Sequence, residues 1–435
     1  MPKQKQLAAS VLDINFQAEI IALVLVFIVT TMTIPAAQAQ TFTVLHTFTG
    51  TADGANPLDA GLAMDGAGSL YGATALGGPQ TEACSYFGSC GTVFKLSPRG
   101  SSWTFDTLYG FTGGSDGNYP DAPIAFGPDG VIYSTTFFGG SNNCNYHGCG
   151  VVYSLRPPAA FCRSALCPWS ETVLYRFTGE SDGGEPAGGA LAFDQTGNLY
   201  GTAATGGAHA HGDVYELVHN SGQWTLNVLY SFTGQSDGGA SWSGVTFASA
   251  GNMYGTTADG GLYQGGTAFE LSPSGTGWNL TPIHQFVLDA DGYLGVGNLL
   301  LDSSGNLRGT NEHFGMGGGG TAYELTFSNG SWHFSVLHSF SGGYGPQGAM
   351  VMDQAGNLYG TTVGGGAYGP GTVFKLTPSD GGWNYTVLHN FTGGSDGANP
   401  YGQIVLDGND NLYGTTSEGG TGCNGGCGVV WKIAP

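Results

Sequence analysis

Hydrophobic residues along this chain alternate with small or polar ones in short runs, and the same runs return at regular intervals. One clear copy reads GALAFD, NLYGTA, DVYELV and WTLNVLYSF between Gly189 and Phe232. Alternation of Val, Leu, Tyr and Phe with polar residues, bounded by Gly, Asn and Asp, is typical of half-buried strands joined by turns. Each copy therefore predicts four antiparallel β-strands.

The copies recur along nearly the whole sequence. The second run reads NLYGT or a variant of it, and it begins at Ser69, Val131, Asn198, Asn252, Asn306, Asn357 and Asn411. Four-stranded units that repeat about every 40–50 residues are typical of β-propellers. The pattern predicts an all-β chain that folds as a seven-bladed β-propeller of four-stranded antiparallel blades.

The two ends of the repeated region predict how the ring closes. Phe42–Phe48 resembles a fourth strand without the three before it, and Val429–Ile433 resembles a third strand without a fourth after it. We therefore expect the N-terminal strand to complete the last blade. Such pairing removes a sheet edge that would otherwise be exposed.

The predicted organisation is a signal peptide over residues 1–39 and one propeller domain over residues 40–435. Lys3 and Lys5, the apolar run from Ile20 to Val29 and the sequence Ala37-Gln38-Ala39 fit a cleavable secretory signal. The alternative is an anchor helix, but the apolar run is shorter than the roughly 20 residues of a usual membrane span. The predicted repeat units cover about 42–98, 103–157, 169–217, 224–273, 278–327, 332–378 and 383–435.

Composition narrows the choice of partner. Charged residues make up 9% of the chain and the formal net charge is −21. Because basic residues are few, the chain has no footprint for phosphate groups, which argues against nucleic acid and anionic membranes. We expect a secreted or cell-envelope monomer without a membrane span after signal cleavage. Its partner would be an extracellular carbohydrate or protein.

All eight cysteines fall in close pairs. In an exported chain such pairs predict local disulfides, here Cys84 with Cys90, Cys144 with Cys149, Cys162 with Cys167, and Cys423 with Cys427. A thiolate metal site is the alternative, but it needs CxxC pairs that converge on one ion, and these spacings differ. We therefore predict no metal at the cysteines and expect the bridges to pin long loops.

The repeat resembles a known family. NLYGTT, GTVFKL and an SDG loop recur together from about Phe42 to Pro435, and this combination is similar to the GloVer tandem repeat of secreted bacterial proteins. The GALAFDxxGNLYGT hairpin is also similar to strands of NHL and lactonase-type propellers. The resemblance implies a secreted or cell-surface propeller and implies no particular reaction.

The loop between consecutive blades carries a recurring acid. Its five clearest copies read TGTADGANP, TGGSDGNYP, TGESDGGEP, TGQSDGGAS and TGGSDGANP, with the acids Asp53, Asp116, Asp182, Asp237 and Asp396, and the loop VLDADGYLG carries Asp291. A ring of carboxylates at the tunnel mouth could bind Ca²⁺. The other interpretation is a structural turn, in which Asp before Gly caps its own backbone. We expect no required cofactor, with Ca²⁺ as the candidate cation.

A position in the fourth strand alternates between His and Tyr. Its members are His46, Tyr109, Tyr175, Tyr230, His284, His338 and His389. Four histidines suggest catalysis or metal binding, but exchange with Tyr favours an amphipathic ring that packs its body and exposes its polar tip. We predict a structural role.

The copies differ most in the Gly-rich loops between the second and third strands. Variable aromatic and imidazole groups on a repeated frame are typical of a binding face, and the candidates are Tyr146, His147, His209, His211, Tyr263, His313 and Tyr368. The alternative is that these side chains merely cover strand ends. His209 and His211 could also hold a metal with Asp213, although such short spacing is a weak signal.

The sequence thus predicts a non-catalytic module or scaffold that binds a carbohydrate or protein ligand. It contains no motif for a nucleophile with its base or for a phosphate-binding loop. One alternative is an extracellular polysaccharide hydrolase or lyase at the tunnel mouth, using carboxylates such as Asp116 and Asp182. A second alternative is a purely structural envelope protein.

Overall fold

The computed structural model describes residues 40–84, 88–127, 130–141, 144, 147–158, 168–186, 188–248, 251–275 and 277–435. Phe42–Ala434 form one compact unit. The predicted signal peptide lies outside the described residues.

The described strands form seven antiparallel sheets, which are the blades of a seven-bladed β-propeller, as predicted. Blades one to three contain β2 (Ala63–Met64), β3 (Leu70–Thr74), β4 (Thr92–Arg99), β5 (Ser102–Gly110), β6 (Ala125–Phe126), β7 (Ile132–Thr136), β8 (Val151–Arg156), β9 (Ser170–Arg176), β10 (Ala192–Phe193), β11 (Leu199–Ala203), β12 (Asp213–Asn220) and β13 (Gln223–Ser231).

Blades four to seven continue in the same order. They contain β14 (Thr246–Phe247), β15 (Met253–Thr256), β16 (Gln264–Ser274), β17 (Gly277–Val287), β18 (Tyr293–Gly295), β19 (Leu300–Leu301), β20 (Leu307–His313), β21 (Gly318–Ser328), β22 (Ser331–Ser341), β23 (Val351–Met352), β24 (Leu358–Thr362), β25 (Thr372–Ser379), β26 (Gly382–Asn390), β27 (Val405–Leu406), β28 (Leu412–Thr416) and β29 (Val429–Ala434). The strand β1 (Thr41–Thr47) belongs to blade seven.

The first strand of each blade is shorter than its sequence pattern suggests. The run GALAFD yields only Ala192–Phe193, and blade five divides this strand into β18 and β19, which both pair with β20. The reason is crowding near the axis, where inner strands of adjacent blades converge. A side chain at Gly189 would collide with the backbone of Gly244 in the next blade.

Packing explains why the fourth position of the NLYGT run is glycine. A Cβ atom at Gly255 would lie 2.6 Å from the ring of Phe269 on the neighbouring third strand, and Gly360 stands in the same relation to Phe374 at 2.7 Å. Glycine therefore lets the large aromatic residue of the third strand lie flat across the second strand.

The core lies between blades and is built on a repeated aromatic contact. A buried Phe at or just after the end of the fourth strand packs against an aromatic ring on the third strand of the next blade, with centroids 5.0–6.0 Å apart. The pairs are Phe48–Phe94, Phe111–Tyr153, Phe177–Tyr215, Phe232–Phe269, Phe286–Tyr323, Phe340–Phe374 and Phe391–Trp431. Each blade is thus joined to both neighbours by the same kind of contact.

The predicted closure is confirmed. The strand β1 pairs with β29 in the sheet order β1-β29-β28-β27. Beyond the strand, the Phe48 N–H donates to the Gly428 carbonyl oxygen at 3.1 Å. Because Phe48 also packs on blade one, the N-terminal strand connects the last blade to the first.

Three of the four predicted disulfides are present: Cys84–Cys90, Cys144–Cys149 and Cys423–Cys427. Each closes the loop between a second and a third strand. The fourth predicted pair is different, because both Cys162 and Cys167 lie outside the described residues. Their disulfide therefore stays a prediction from the sequence.

Helical structure is a minor part of the described chain. It consists of a 3₁₀ turn at Glu82–Cys84 and α1 (Leu288–Asp291). In the part of the chain that the structure describes, no helix has the length and apolar character to cross a membrane.

Candidate functional site

Two families of loops share one face of the propeller. The inter-blade loop, which runs from a fourth strand to the next first strand, pairs with the loop after the second strand through bridges such as Asn118↔Phe138 and Gly239↔Asp259. The predicted acids and the variable loops therefore lie on the same face of the propeller. It is also the face where each chain segment turns inward towards the axis.

The inter-blade aspartates close their own turns. The Asp237 carboxylate accepts hydrogen bonds from the Thr233 N–H at 2.8 Å, from the Thr233 hydroxyl, and from the Tyr230 hydroxyl at 2.9 Å. Burial alone would raise the pKa of Asp237, but these hydrogen bonds hold it below its usual range. The other predicted acids accept from the corresponding backbone N–H and fourth-strand side chain, namely Asp53, Asp116, Asp182, Asp291 and Asp396.

The fourth-strand His/Tyr position is the hydrogen-bond partner of these acids, so its polar tip contacts an aspartate where the sequence pattern predicted a tip exposed to solvent. The His389 ring lies 3.1 Å from the Asp396 carboxylate, seven residues later. The loop from blade five to blade six is the exception. His338 is 13 positions before the first strand residue Val351, whereas His389 is 16 before Val405. The shortened loop carries no acid, and burial lowers the pKa of His338.

The predicted ligand-binding side chains are spread over several blades. Tyr146 lies outside the described residues. His147 contacts the Phe138 ring at 5.8 Å, while His209 and His211 are exposed in blade three. Tyr263 and Tyr368 are 56% and 67% exposed.

His313 differs from these because its ring lies 3.5 Å from the Glu312 carboxylate and packs on Tyr344. Among the described residues, no group of three or more His, Cys, Asp or Glu side chains is arranged to hold a metal ion.

A ring of left-handed residues surrounds the axis on this face. In six blades the residue three positions after the inter-blade acid has a φ of 48–65°, and these residues are Asn56, Tyr119, Glu185, Ala240, Leu294 and Asn399. In blade two the Tyr119 carbonyl oxygen accepts from the Phe137 N–H at 3.0 Å, and Asn399 accepts from Ser417 in the same way. Non-glycine residues adopt this conformation at some energetic cost, so its repetition marks a turn held by its surroundings.

This left-handed ring was missed in the sequence, although a signal was present. The six loops keep the Asp-Gly pair, but the position three residues after Asp changes from Asn to Tyr, Glu, Ala and Leu. At such a position the side chain changes from blade to blade while the backbone of the turn stays the same. Repeat proteins commonly place their binding residues at positions of this kind.

An axial cavity of about 250 Å³ lies just beyond this ring. Its lining comes from all seven blades: Asp59, Pro123, Gly188, Trp242, Leu294, Val296, Gly297, Gln347, Gly348, Ala349, Tyr401 and Gln403. A cavity bounded by every blade must lie on the propeller axis. Its residues immediately precede the first strands, which places it at the end of the tunnel nearest the inter-blade loops.

Aromatic side chains form one wall of the axial cavity. The Trp242 ring stacks on Phe137 with centroids 5.7 Å apart and planes 18° apart. Phe137 in turn contacts Phe138 and Tyr119 edge-on. Tyr401 lines the cavity from blade seven. Two aromatic residues, Trp242 and Tyr401, therefore belong to the lining of the cavity.

Acids occupy another part of the same region. The Asp59 N–H donates to the Asp121 carboxylate at 3.3 Å, and Glu312 is only 4% exposed. Burial raises the pKa of Asp59 to about 7 and that of Asp121 well above its ordinary value. Burial, with the nearby charge of Asp59, also raises the pKa of Glu312 to about 7.

Polar atoms in the cavity have unused hydrogen-bonding capacity. Within the described chain, Asp59 Oδ1 and Gln347 Oε1 are inaccessible and have no hydrogen-bond partner. An unpaired buried oxygen carries a free-energy cost that a bound donor would relieve. The cavity is therefore suited to a ligand that donates hydrogen bonds.

Comparison with known proteins identifies relatives of the repeat and of the fold. A model of the Gloeobacter/Verrucomicrobia repeat matches residues 145–342 and 295–435. No curated protein matches the chain.

Solved structures resemble the propeller at low sequence identity. One is described as the extracellular domain of a one component system from B. thetaiotaomicron; it is 13% identical, with a TM-score of 0.54 over 90% of this chain and 40% of that chain. The chain thus spans less than half the length of that protein, and the likeness shows the fold alone. A protein described as a 6-phosphogluconolactonase from Bacteroides uniformis is 12% identical, with a TM-score of 0.45 over 75% and 83% of the two chains.

Proposed function

The chain belongs to the Gloeobacter/Verrucomicrobia repeat family, and from its axial cavity we propose that it is a non-catalytic binding module for a saccharide. The observation that carries the proposal is the cavity itself, which is lined by Trp242, stacked on Phe137, and by Tyr401, Gln347 and Gln403. Aromatic faces pack against the C–H surface of a sugar ring, and amides and carboxyls bond its hydroxyl groups.

The size of the cavity sets the size of the ligand. A volume of about 250 Å³ lies below the roughly 300–1,000 Å³ of sites for drug-sized molecules. A single sugar unit, or the end of a longer glycan, is therefore the proposed occupant. Exposed groups on the same face, such as Tyr263, His313 and Tyr368, would contact the rest of a longer glycan or a protein that carries it.

Export is part of the proposal. Three local disulfides support an oxidising compartment. With the signal pattern at the N-terminus, they support a secreted or cell-envelope protein, which we propose acts as a monomer. Calcium at the inter-blade aspartates remains a proposal, and a chelator that left the melting temperature unchanged would argue against it.

Binding can be tested on a glycan array and then by titration calorimetry with the best ligand. Trp242→Ala and Tyr401→Ala should each weaken binding by about tenfold or more, because each removes an aromatic face from the cavity. Phe327→Ala, which removes a 57% exposed ring on a third strand and outside the proposed binding surface, is the matched control and should leave binding unchanged. Equal binding by wild type and both cavity variants would exclude the axial site.

A polysaccharide hydrolase or lyase is the second candidate, favoured by one observation. Burial raises the pKa of Asp59 and of Glu312 to about 7 and that of Asp121 well above its ordinary value, and a carboxyl group with a raised pKa can serve as a general acid. Incubation with a panel of polysaccharides separates the two candidates. New reducing ends or unsaturated products that disappear in Asp121→Asn would favour the enzyme, whereas binding without products favours the module.

A further inference from the structure

One acid, Asp59, lines the axial cavity, Asp121 and Glu312 lie near it, and no basic side chain belongs to the cavity lining. Every lysine and arginine in the described part of the chain lies on a second, third or fourth strand, and none of them lines the cavity: Lys95, Arg99, Arg156, Arg176, Arg308, Lys375 and Lys432. No basic side chain of the cavity lining therefore pairs with the acids near the cavity when they are ionised. A positive charge would have to come from a ligand.

The titratable groups of this region have been brought together by several blades. They are Asp59, Tyr119, Asp121, Glu312, His313, Tyr344, Tyr401 and Glu418. The nearest imidazole, that of His313, does not supply the missing charge near neutral pH, because burial lowers its pKa. Asp59 Oδ1 also remains without a partner among the described residues.

We propose that the saccharide bound in the axial cavity carries a protonated amine, so that the ligand is an amino sugar; this inference rests on the saccharide-binding function proposed above. An ammonium group would donate hydrogen bonds to Asp59 and Asp121, and the face of Trp242 would attract its charge. The sugar ring would lie along the aromatic wall, with its hydroxyl groups bonded by Gln347 and Gln403.

Proton release distinguishes a cationic ligand from a neutral one. Near neutral pH, burial keeps a proton on part of the acid cluster. A bound ammonium group favours the ionised carboxylates, so binding should expel protons into the buffer. A neutral sugar would leave those protons in place.

The test compares a glucosamine trimer with its N-acetylated counterpart by calorimetry at about pH 6.5, in buffers with different heats of ionisation. The amine and acetamide forms have the same sugar backbone, so they differ chiefly in charge. We expect the amine form to bind about tenfold or more tightly, with net proton release. The acetylated form should release none.

Two variants test whether the acids near the cavity cause the preference for the amine form. Asp121→Asn should remove most of the preference for the amine form while changing the affinity for the acetylated form by about twofold or less. Glu312→Gln is a second variant in case Asp121→Asn does not fold. The exposed Asp380→Asn, which removes the same charge far from the axis, should leave both affinities unchanged.

The outcomes separate the inference from the function on which it rests. If the acetylated trimer binds as tightly as the amine trimer, the amino-sugar inference is wrong and the saccharide-binding function stands. If neither trimer binds but another neutral glycan does, the conclusion is the same. If no saccharide binds, both proposals fail.

Discussion

Asp213 should destabilise this propeller at neutral pH, and its replacement by Thr should stabilise the fold. Other blades have Thr at this position, the start of the third strand: Thr92, Thr267, Thr321 and Thr372. In blade four the Thr267 hydroxyl donates to the Asp237 carbonyl oxygen at 3.2 Å. Asp213 is fully buried, and the Ser231 hydroxyl, the one side chain whose hydrogen bonding opposes the effect of burial, does not bring its pKa back to the ordinary value.

The size of the effect follows from the pKa. Burial raises the pKa of Asp213 from 3.8 to about 6. The difference, 6 − 3.8, corresponds to about 3 kcal/mol at roughly 1.4 kcal/mol per pKa unit, which is an upper bound if water reaches the site on local opening. Since the folded-state pKa is the higher one, protonation favours folding. The cost is absent below about pH 4, grows between about pH 4 and 6, and is complete above that range.

The measurement is the free energy of unfolding in denaturant from about pH 4 to pH 8 for wild type, Asp213→Thr and Asp213→Asn. Both variants should gain stability over wild type at pH 7–8, by about 2–3 kcal/mol for Thr, and the gain should shrink towards pH 4. The exposed Asp380→Asn serves as the charge-matched control and should change stability little. A gain for Asp213→Thr that is constant across the pH range would refute the titration argument.

Three further predictions concern closure and the loops. Phe48→Ala should cost about 3–5 kcal/mol, because Phe48 is fully buried, whereas Phe327→Ala at a 57% exposed ring should cost far less; equal melting temperatures would contradict the closure. Asp237→Ala should destabilise by about 1–3 kcal/mol through its unpaired donors, which thermal denaturation would show. Replacing both Cys423 and Cys427 by Ser should cost about 2 kcal/mol for so small a loop, and reductant should lower the melting temperature of wild type more than that of the variant.

The fold could be predicted because the strand pattern of one blade recurs along the sequence. Strand alternation at NLYGT and GTVFKL appears in each copy, so local ambiguity in one copy is resolved by the others. The closure was also predictable, since Phe42–Phe48 matches a fourth strand that has no blade of its own. The short first strands were not predictable, because the limit on their length comes from neighbouring blades near the axis and not from their own residues.

The site was harder to predict because its residues do not form a motif. Asp59, Trp242, Gln347 and Tyr401 occupy related positions before their first strands, but each has different chemistry, so a search for recurring residues passes over them. The predicted acids recur for the opposite reason: residues such as Asp237 perform the same turn-closing function in every copy. The pairing of His389 with Asp396 corresponds to a constant separation of seven residues in the sequence. That spacing alone does not show that the two side chains are in contact.

The pairing of β1 with β29 has a consequence for folding. This contact joins residues separated by almost the whole chain, and contacts of such long separation form slowly because a very large loop must close first. During synthesis, Thr41–Thr47 emerges early and has no partner until Val429–Ala434 follows it. Until then, both the first strand and the unfinished seventh blade expose pairing edges, so intermolecular exchange of β1 is the misassembly expected at high concentration.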